Sequence, residues 1–523
     1  MSRVLEDALG LQLDSRVREI LQRRPAVGLA LAVVRDGRLA YFHGHGLADI
    51  ASGAPISQDT VFRIGSISKL FTAVAVMQLA ERGLIVLDAP ANDYLRAYKL
   101  VPAEPAFRAA TIRQLLTHTA GVPEVRGLGD LLRADVTPSG GRSAMPTVRA
   151  GEQRSSLAAF YRDGLRVVVE PGTAFAYSNH GFATLGQIVE DVTGKPLDGY
   201  MRDCIFEPLG MANTGLVRSE PFGDHVATGY VIGRRGARPV PDREEIGGGG
   251  GGIYSTPLDM VRFTASLMSG GANEHGRVLE QSTLATMFEP HFQADRRMPG
   301  MGLSFFRGYV GEHRIVGHDG ILPGFNSALA VAPDDRVGLI AFTNGSSGAF
   351  AWLPVELHRL MGQLLGVTSD PRHDIPHRPE VWADLCGRYV FPPRISDLRG
   401  RLMLGGGVEV FVGGGRLMAR VLTPIPALLR GLPLSPGDDQ DPDVFRLDLS
   451  DAGMAPVRVV FARDGDGIAT AVHTDLGGQP WSLIRRSSAT RQRWLGRALG
   501  ALALGGAVAA GRRWASRRTG ART

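Results

Sequence analysis

Along the first 24 residues apolar side chains return every three or four positions: Leu5, Leu9, Leu13, Val17, Ile20 and Leu21. That spacing places them on one face of a helix over 3–24, although Gly10 weakens its first turns. The period then changes. Residues 29–34, a continuous apolar run, and 38–42 read as two strands, and Asp36-Gly37 lies between them. Asp-Gly between two such runs is the strongest short hairpin signal. Helical spacing resumes from Ser66 to about Arg82, with Gly83 as a stop. Thr111 can cap a short helix that ends before Gly121 and Pro123, and further helices are expected over 156–166, 181–193, 257–270 and 349–365. Strand-like runs at 327–332 and 337–343 flank the turn Pro333-Asp334-Asp335-Arg336. Beyond a Pro- and His-rich linker at 370–379, short β-like runs at 408–412, 457–462 and 468–473 alternate with Gly and Asp turns. They predict a small all-β domain over 380–487.

Composition changes this picture little. At 523 residues the chain exceeds one core, and three parts are expected: 1–370, 380–487 and a tail, 488–523. Net charge is +6, yet no basic stripe interleaved with aromatics runs through the body, so nucleic acid is not an expected partner. Cys204 and Cys386 have neither disulfide nor zinc spacing. The acids near Met1 do not read as a secretory signal, so a cytoplasmic location is expected. In the tail, 498–511 carries no charge and is flanked by arginines and by Trp494 and Trp514. It is too short for an ordinary membrane span. It reads as an interfacial helix touching a membrane surface, a short spanning segment or a helix packed on a partner.

Chemistry concentrates at Ser66-Ile67-Ser68-Lys69. On a helix, positions three apart share a face, so the Ser66 hydroxyl and the Lys69 amine would enter one cavity. Serine is a weak nucleophile until a base takes its proton, and a lysine in a buried, positively charged site can be that base. The chain has 58 Lys+Arg but only three lysines, Lys69, Lys99 and Lys195. Arginine cannot release its proton, so a lysine here is a choice.

Four other features need weighing. His43-Gly44-His45 has a metal-like spacing but no cluster of further ligands, so no metal is expected. His118 is read as structural, at a helix end. Residues 124–155 read as a long loop, either a lid or a mobile segment. Six glycines, 247–252, lack the flanks of a phosphate cradle and are expected to let backbone pack beside the site. Two further polar triplets can line a cleft: Tyr177-Ser178-Asn179 before a helix, and His318-Asp319-Gly320 on a strand edge.

Taken in order, Ser66-x-x-Lys69, Tyr177-Ser178-Asn179 and His318-Asp319-Gly320 resemble the three motifs of the serine β-lactamase and penicillin-binding-protein superfamily, nearest its class C-like branch. The likeness covers roughly residues 10–366. It implies an α+β fold: an antiparallel sheet flanked by helices, plus a helical subdomain, with the site between them. It implies Ser66 as nucleophile, Lys69 as proton partner, Tyr177 as general base and then acid, and Asn179 as a substrate-orienting group. The N–H groups of Ser66 and Ile321 would form the oxyanion hole. No cofactor is implied. His318 stands where β-lactamases and cell-wall peptidases commonly carry lysine, so a fixed cation is lost. The expectation is an esterase- or peptidase-like hydrolase of small esters, amides or peptides, with weak or no β-lactamase activity. The alternative is a non-turnover penicillin-binding or sensory module that retains the fold.

Overall fold

The computed structural model describes residues 3–125, 145–150, 152, 155–218, 220–367, 375–392, 405–422, 429–449 and 456–486. Most of the 124–155 loop, part of the expected linker and the whole 488–523 tail fall outside them.

Helix α1 (Arg3–Arg23) leads into β1 (Gly28–Arg35), β2 (Arg38–Asp49) and the short β3 (Ala54–Pro55). Asp36 and Gly37, between β1 and β2, have φ of 51° and 79°, the left-handed pair that a tight two-residue hairpin turn requires. Four strands arrive some 250 positions later: β4 (Phe306–Val310), β5 (His313–Leu322), β6 (Phe325–Ala332) and β7 (Val337–Thr343). Together they make one seven-stranded sheet of order β4-β5-β6-β7-β1-β2-β3. All neighbours are antiparallel, and Leu29 of β1 lies opposite Thr343 of β7.

The segment between β3 and β4 supplies α2 (Ser68–Glu81), α3 (Ile112–Leu116), α4 (Asn179–Thr193) and α5 (Pro257–Met268), and α6 (Ala349–Leu364) closes the unit. Strand alternation decides which residues face which layer. Leu29, Leu31 and Val33 join Leu13, Val17 and Ile20 of α1 and Trp352, Leu353 and Leu357 of α6. Ala30, Ala32 and Val34 join the larger core that holds Val261, Phe263 and Leu267 of α5. Burial on both faces explains why 29–34 reads as unbroken apolar sequence.

Helix α2 has no polar face. Every residue from Ser68 to Leu79 is buried, as expected of a helix inside a core rather than on its surface. Phe71 stacks on Phe263 of α5 at 4.1 Å and meets Phe206 edge-on at 5.6 Å. Burying one such side chain contributes about 1.5–3 kcal/mol, so α2 is held rigidly where its first turn meets the cleft.

The expected helix over 156–166 is not present. Ser156 caps a single turn, Leu157–Phe160. The chain then bends at Gly164, where a Cβ would lie 2.5 Å from Val101 Cγ2. Leu165–Val167 continues as a strand parallel to Leu100–Pro102. Strand pairing, with Leu165 and Val167 buried, overrides the local helical preference.

The C-terminal part is a closed eight-stranded barrel, from Gly387–Val390 to Trp481–Arg485. It closes where Tyr389 pairs with Arg485. Its interior holds Tyr389, Leu417, Leu434, Phe461, Trp481 and Leu483. The overall class is therefore α+β followed by a small all-β domain. The barrel sits against the first unit through Arg297, which pairs with Asp441 at 3.0 Å and donates to Phe461 O at 2.8 Å, and through Met298 packed on Val444 and Val460. Cys204 and Cys386 are both free. No helix among the described residues is long and apolar enough to cross a membrane.

Candidate active site

From Val61 to Leu79 every residue is buried except Ser66. Ser66 lies in a 3₁₀ turn, Gly65–Ile67, immediately before α2 rather than inside it. The turn is fixed from two sides. The Ser68 hydroxyl accepts from Ile253 N–H at 3.0 Å, and Ser327 Oγ donates to Ile64 O at 2.7 Å. Gly65 has φ 54°, and a Cβ there would lie 3.0 Å from Ile321 N. Gly320 is tighter still, with its Cβ position 2.1 Å from Ile64 O. Strand β5 thus presses its backbone onto the Ser66 turn, which only glycine at both places permits.

Lys69 is fully buried in the first turn of α2. Its Nζ lies 3.0 Å from Ser66 Oγ and 2.6 Å from Asn179 Oδ1, and it also donates to Gly250 O. The centroid of the Tyr177 ring is 4.9 Å from Nζ and that of Phe182 is 5.6 Å away. A neutral amine has two N–H bonds and one lone pair. Two carbonyl-type oxygens, which can only accept, take the two N–H bonds and leave the lone pair for the Ser66 hydroxyl. After protonation the same three oxygens satisfy an ammonium. The pocket therefore accommodates both charge states without rearranging.

Tyr177 and Asn179 reach this point because Ser178 between them is the N-cap of α4, its Oγ accepting from Gly181 N–H at 3.1 Å. Helix α4 begins at Asn179, two residues earlier than the sequence suggests. The cap aims its neighbours: Tyr177 is 2% and Asn179 7% exposed, both inside the cleft. His118 lies past the end of α3, with φ 56°. Its Nδ1 accepts from Ser178 N–H at 3.1 Å, and its ring stacks on Tyr177 at 4.2 Å. The structural role expected of His118 holds, but through stacking and acceptance rather than a helix dipole.

On the opposite wall, His318 is buried, stacks on Phe306 at 4.3 Å and lies 6.2 Å from the Tyr177 ring. Its Nδ1 faces Asp319 O at 2.6 Å, and a carbonyl only accepts, so Nδ1 is the protonated nitrogen. Burial pushes the Asp319 carboxyl up to about 7. The structure thus brings Ser66, Lys69, Tyr177 and Asn179 together, with His318 across the cleft and Gly320-Ile321 beside the Ser66 turn. His43 is engaged elsewhere, 3.1 Å from Asp14 Oδ1 and 3.3 Å from Tyr41 Oη.

With this geometry the comparisons can be placed. The family model for Beta-lactamase matches residues 13–354. The chain belongs to the beta-lactamase family. Penicillin-binding protein 4 of Amycolatopsis lactamdurans is 31% identical over 380 residues, spanning 69% of this chain and 92% of that protein. Esterase EstB of Burkholderia gladioli is 31% identical over 311 residues, spanning 56% and 76%. The octameric penicillin-binding protein homologue from Pyrococcus abyssi superposes with TM-score 0.56 at 24% identity, over 91% of this chain and 99% of its own. That likeness speaks to fold, and its coverage extends well beyond residue 354. Membership places this beta-lactamase-family chain among serine hydrolases.

Two parts of the site escaped sequence reasoning. Glu124 is 2% exposed and accepts from Asn179 N–H and from Asn179 Nδ2, both at 2.7 Å. With Nδ2 held by a carboxylate, only Oδ1 is left for Lys69, so Glu124 fixes which way the amide points. The Gly250 carbonyl was anticipated only as close packing. A Cβ at Gly250 would lie 3.2 Å from Asn179 O, and one at Gly249 2.9 Å from Phe182 O. The glycine run brings a carbonyl to Lys69 that a bulkier chain would hold away.

Proposed function

We propose that this protein hydrolyses esters or amides of small molecules or peptides through an acyl-enzyme on Ser66. The observation that carries the reading is the Lys69 amine, whose N–H bonds face Asn179 Oδ1 and Gly250 O while Ser66 Oγ lies 3.0 Å away. Ser66 Oγ attacks the substrate carbonyl carbon and its proton passes to Lys69. The resulting oxyanion is received by the N–H groups of Ser66 and Ile321, where one such donor is worth about 3 kcal/mol. Tyr177, with its ring next to Lys69, relays the proton to the leaving oxygen or nitrogen as the carbonyl carbon–heteroatom bond breaks. Water then attacks the acyl carbon, loses its proton along the same route and frees the acid and Ser66. Asn179 orients the substrate as well as Lys69.

The far wall favours uncharged substrates. His318 and Phe306 stack there at 4.3 Å, Tyr177 faces them with its ring 6.2 Å from His318, and Phe175, packed with Tyr177 and Phe306, meets Trp481 of the barrel at 5.8 Å. A histidine at 318 is no fixed cation for a substrate carboxylate, which supports ester over β-lactam turnover.

The test is hydrolysis of short-chain p-nitrophenyl esters, with nitrocefin alongside, by wild type and Ser66→Ala. The expected outcome is ester turnover lost in the variant, with nitrocefin slow or inert. Equal rates in both would remove Ser66 from the mechanism. One-to-one acylation without turnover would favour the binding or sensory module instead.

A further inference from the structure

Between the first unit and the barrel lies a cavity of about 330 Å³ lined by four arginines, Arg296, Arg297, Arg307 and Arg458, and one acid, Glu289. The arginines are not equivalent. Arg297 is satisfied, pairing with Asp295 at 2.8 Å and Asp441 at 3.0 Å. Arg307, on β4, is 8% exposed; it donates to Pro299 O, Tyr309 and Glu289 lend its guanidinium further support, and its enclosed Nε has no hydrogen-bond partner. Arg458 comes from the barrel strand Val457–Arg463, and its buried Nε has none either. Asp475 accepts from the Arg458 backbone N–H and lends it some opposing charge, while Glu289 pairs outward with Arg314 at 3.4 Å. Burial also works against the Arg307 charge, holding its guanidinium below the ordinary arginine range. An arginine stays protonated, and a buried charge without an acceptor is costly. Two guanidinium-bearing side chains, one from each unit, line one space.

We propose that this cavity binds a small oxyanion, a phosphate or a carboxylate, clasped between Arg307 of the first unit and Arg458 of the barrel. Guanidinium forks match either group, and the space admits a phosphate or a tricarboxylate. The site is separate from Ser66 and does not depend on the hydrolytic reading. Arg307 does follow Phe306, whose ring lies on His318, so an occupant would brace the far wall of the cleft.

The test uses the full chain in chloride buffers of matched ionic strength, titrated calorimetrically with inorganic phosphate and, separately, citrate. Thermal unfolding is followed in parallel. The expected result is one saturable site per chain, with Tm rising with the logarithm of ligand concentration. Whichever probe binds more tightly identifies phosphate or carboxylate as the source. Arg307→Gln and Arg458→Gln should each weaken binding about tenfold or more, and Ser66→Ala should leave it unchanged. If Arg307→Gln does not fold, Arg458→Gln on the barrel carries the test alone. No saturable binding of either probe, or equal affinity in the Arg458 variant, would overturn the proposal. So would loss of binding in Ser66→Ala.

Discussion

Two buried cations in this molecule stand in opposite circumstances. Lys69 is enclosed completely, and three oxygens from three separate segments surround its amine. Arg307 is nearly as enclosed, yet its Nε has no acceptor. The first arrangement satisfies a group both with and without its proton, and so lets a proton move. The second holds a permanent charge against a backbone carbonyl and a phenol, and so suits an anion. Burial alone does not assign a cation its task; the acceptors supplied with it do.

The severest way to break that contrast is Lys69→Arg. It keeps the charge but cannot release a proton, and should lower kcat/KM on p-nitrophenyl esters about a thousandfold or more. A variant within tenfold of wild type would make Lys69 a fixed charge, no different in kind from Arg307. Next comes Gly320→Ala. Its new Cβ would meet Ile64 O and Ser327 Oγ at 2.1 and 2.2 Å, so β5 must back away from the Ser66 turn. A displacement of this kind should cost roughly a hundredfold in kcat and lower Tm; unchanged kinetics would detach Ile321 from the oxyanion role. Glu124→Gln sharpens the comparison more gently. Its amide would set an N–H against one of the two Asn179 N–H donors, freeing Asn179 to turn Nδ2 toward Lys69. About a tenfold fall in kcat with little change in KM is expected, and Glu124→Asp should recover part of it. Equal losses in both variants would mean a merely structural carboxyl.

The smallest effect concerns Asp319. Burial pushes its native carboxyl up to about 7 from an ordinary value near 3.8. Between those values the unfolded chain binds fewer protons than the native one, so stability falls as pH rises through that window. Asp319→Asn escapes this loss. It should match wild type near pH 4 and exceed it by roughly 1–3 kcal/mol at pH 8 by denaturant unfolding. A difference independent of pH would show that the buried charge is not its source.

How much of this was legible depended on whether a feature is local. Ser66 and Lys69 are three positions apart, so a short motif carries their relation. The Asp36-Gly37 hairpin, the Thr111 cap and the apolar run of β1 are equally local. The triplet Tyr177-Ser178-Asn179 was legible as preceding a helix, but the Ser178 cap that aims its neighbours inward was not. Glu124 and Gly250 bear on Lys69 across 55 and 181 positions, with no periodicity to announce them. Arg307 and Arg458 line one cavity only because the barrel seats itself on β4. Residues 156–166 misled for the same reason: the strand that recruits Leu165 lies 65 positions upstream.

The seat of the barrel has one last implication. Met298, Phe306 and Phe175 are buried, and the barrel's Val444, Val460, Gly478 and Trp481 lie against them. A shortened protein ending near residue 366 would bare this greasy footprint beside the outermost strand, β4, inviting self-association. Such a truncation is therefore expected to aggregate where the full chain does not, because the barrel covers a surface that would otherwise face water.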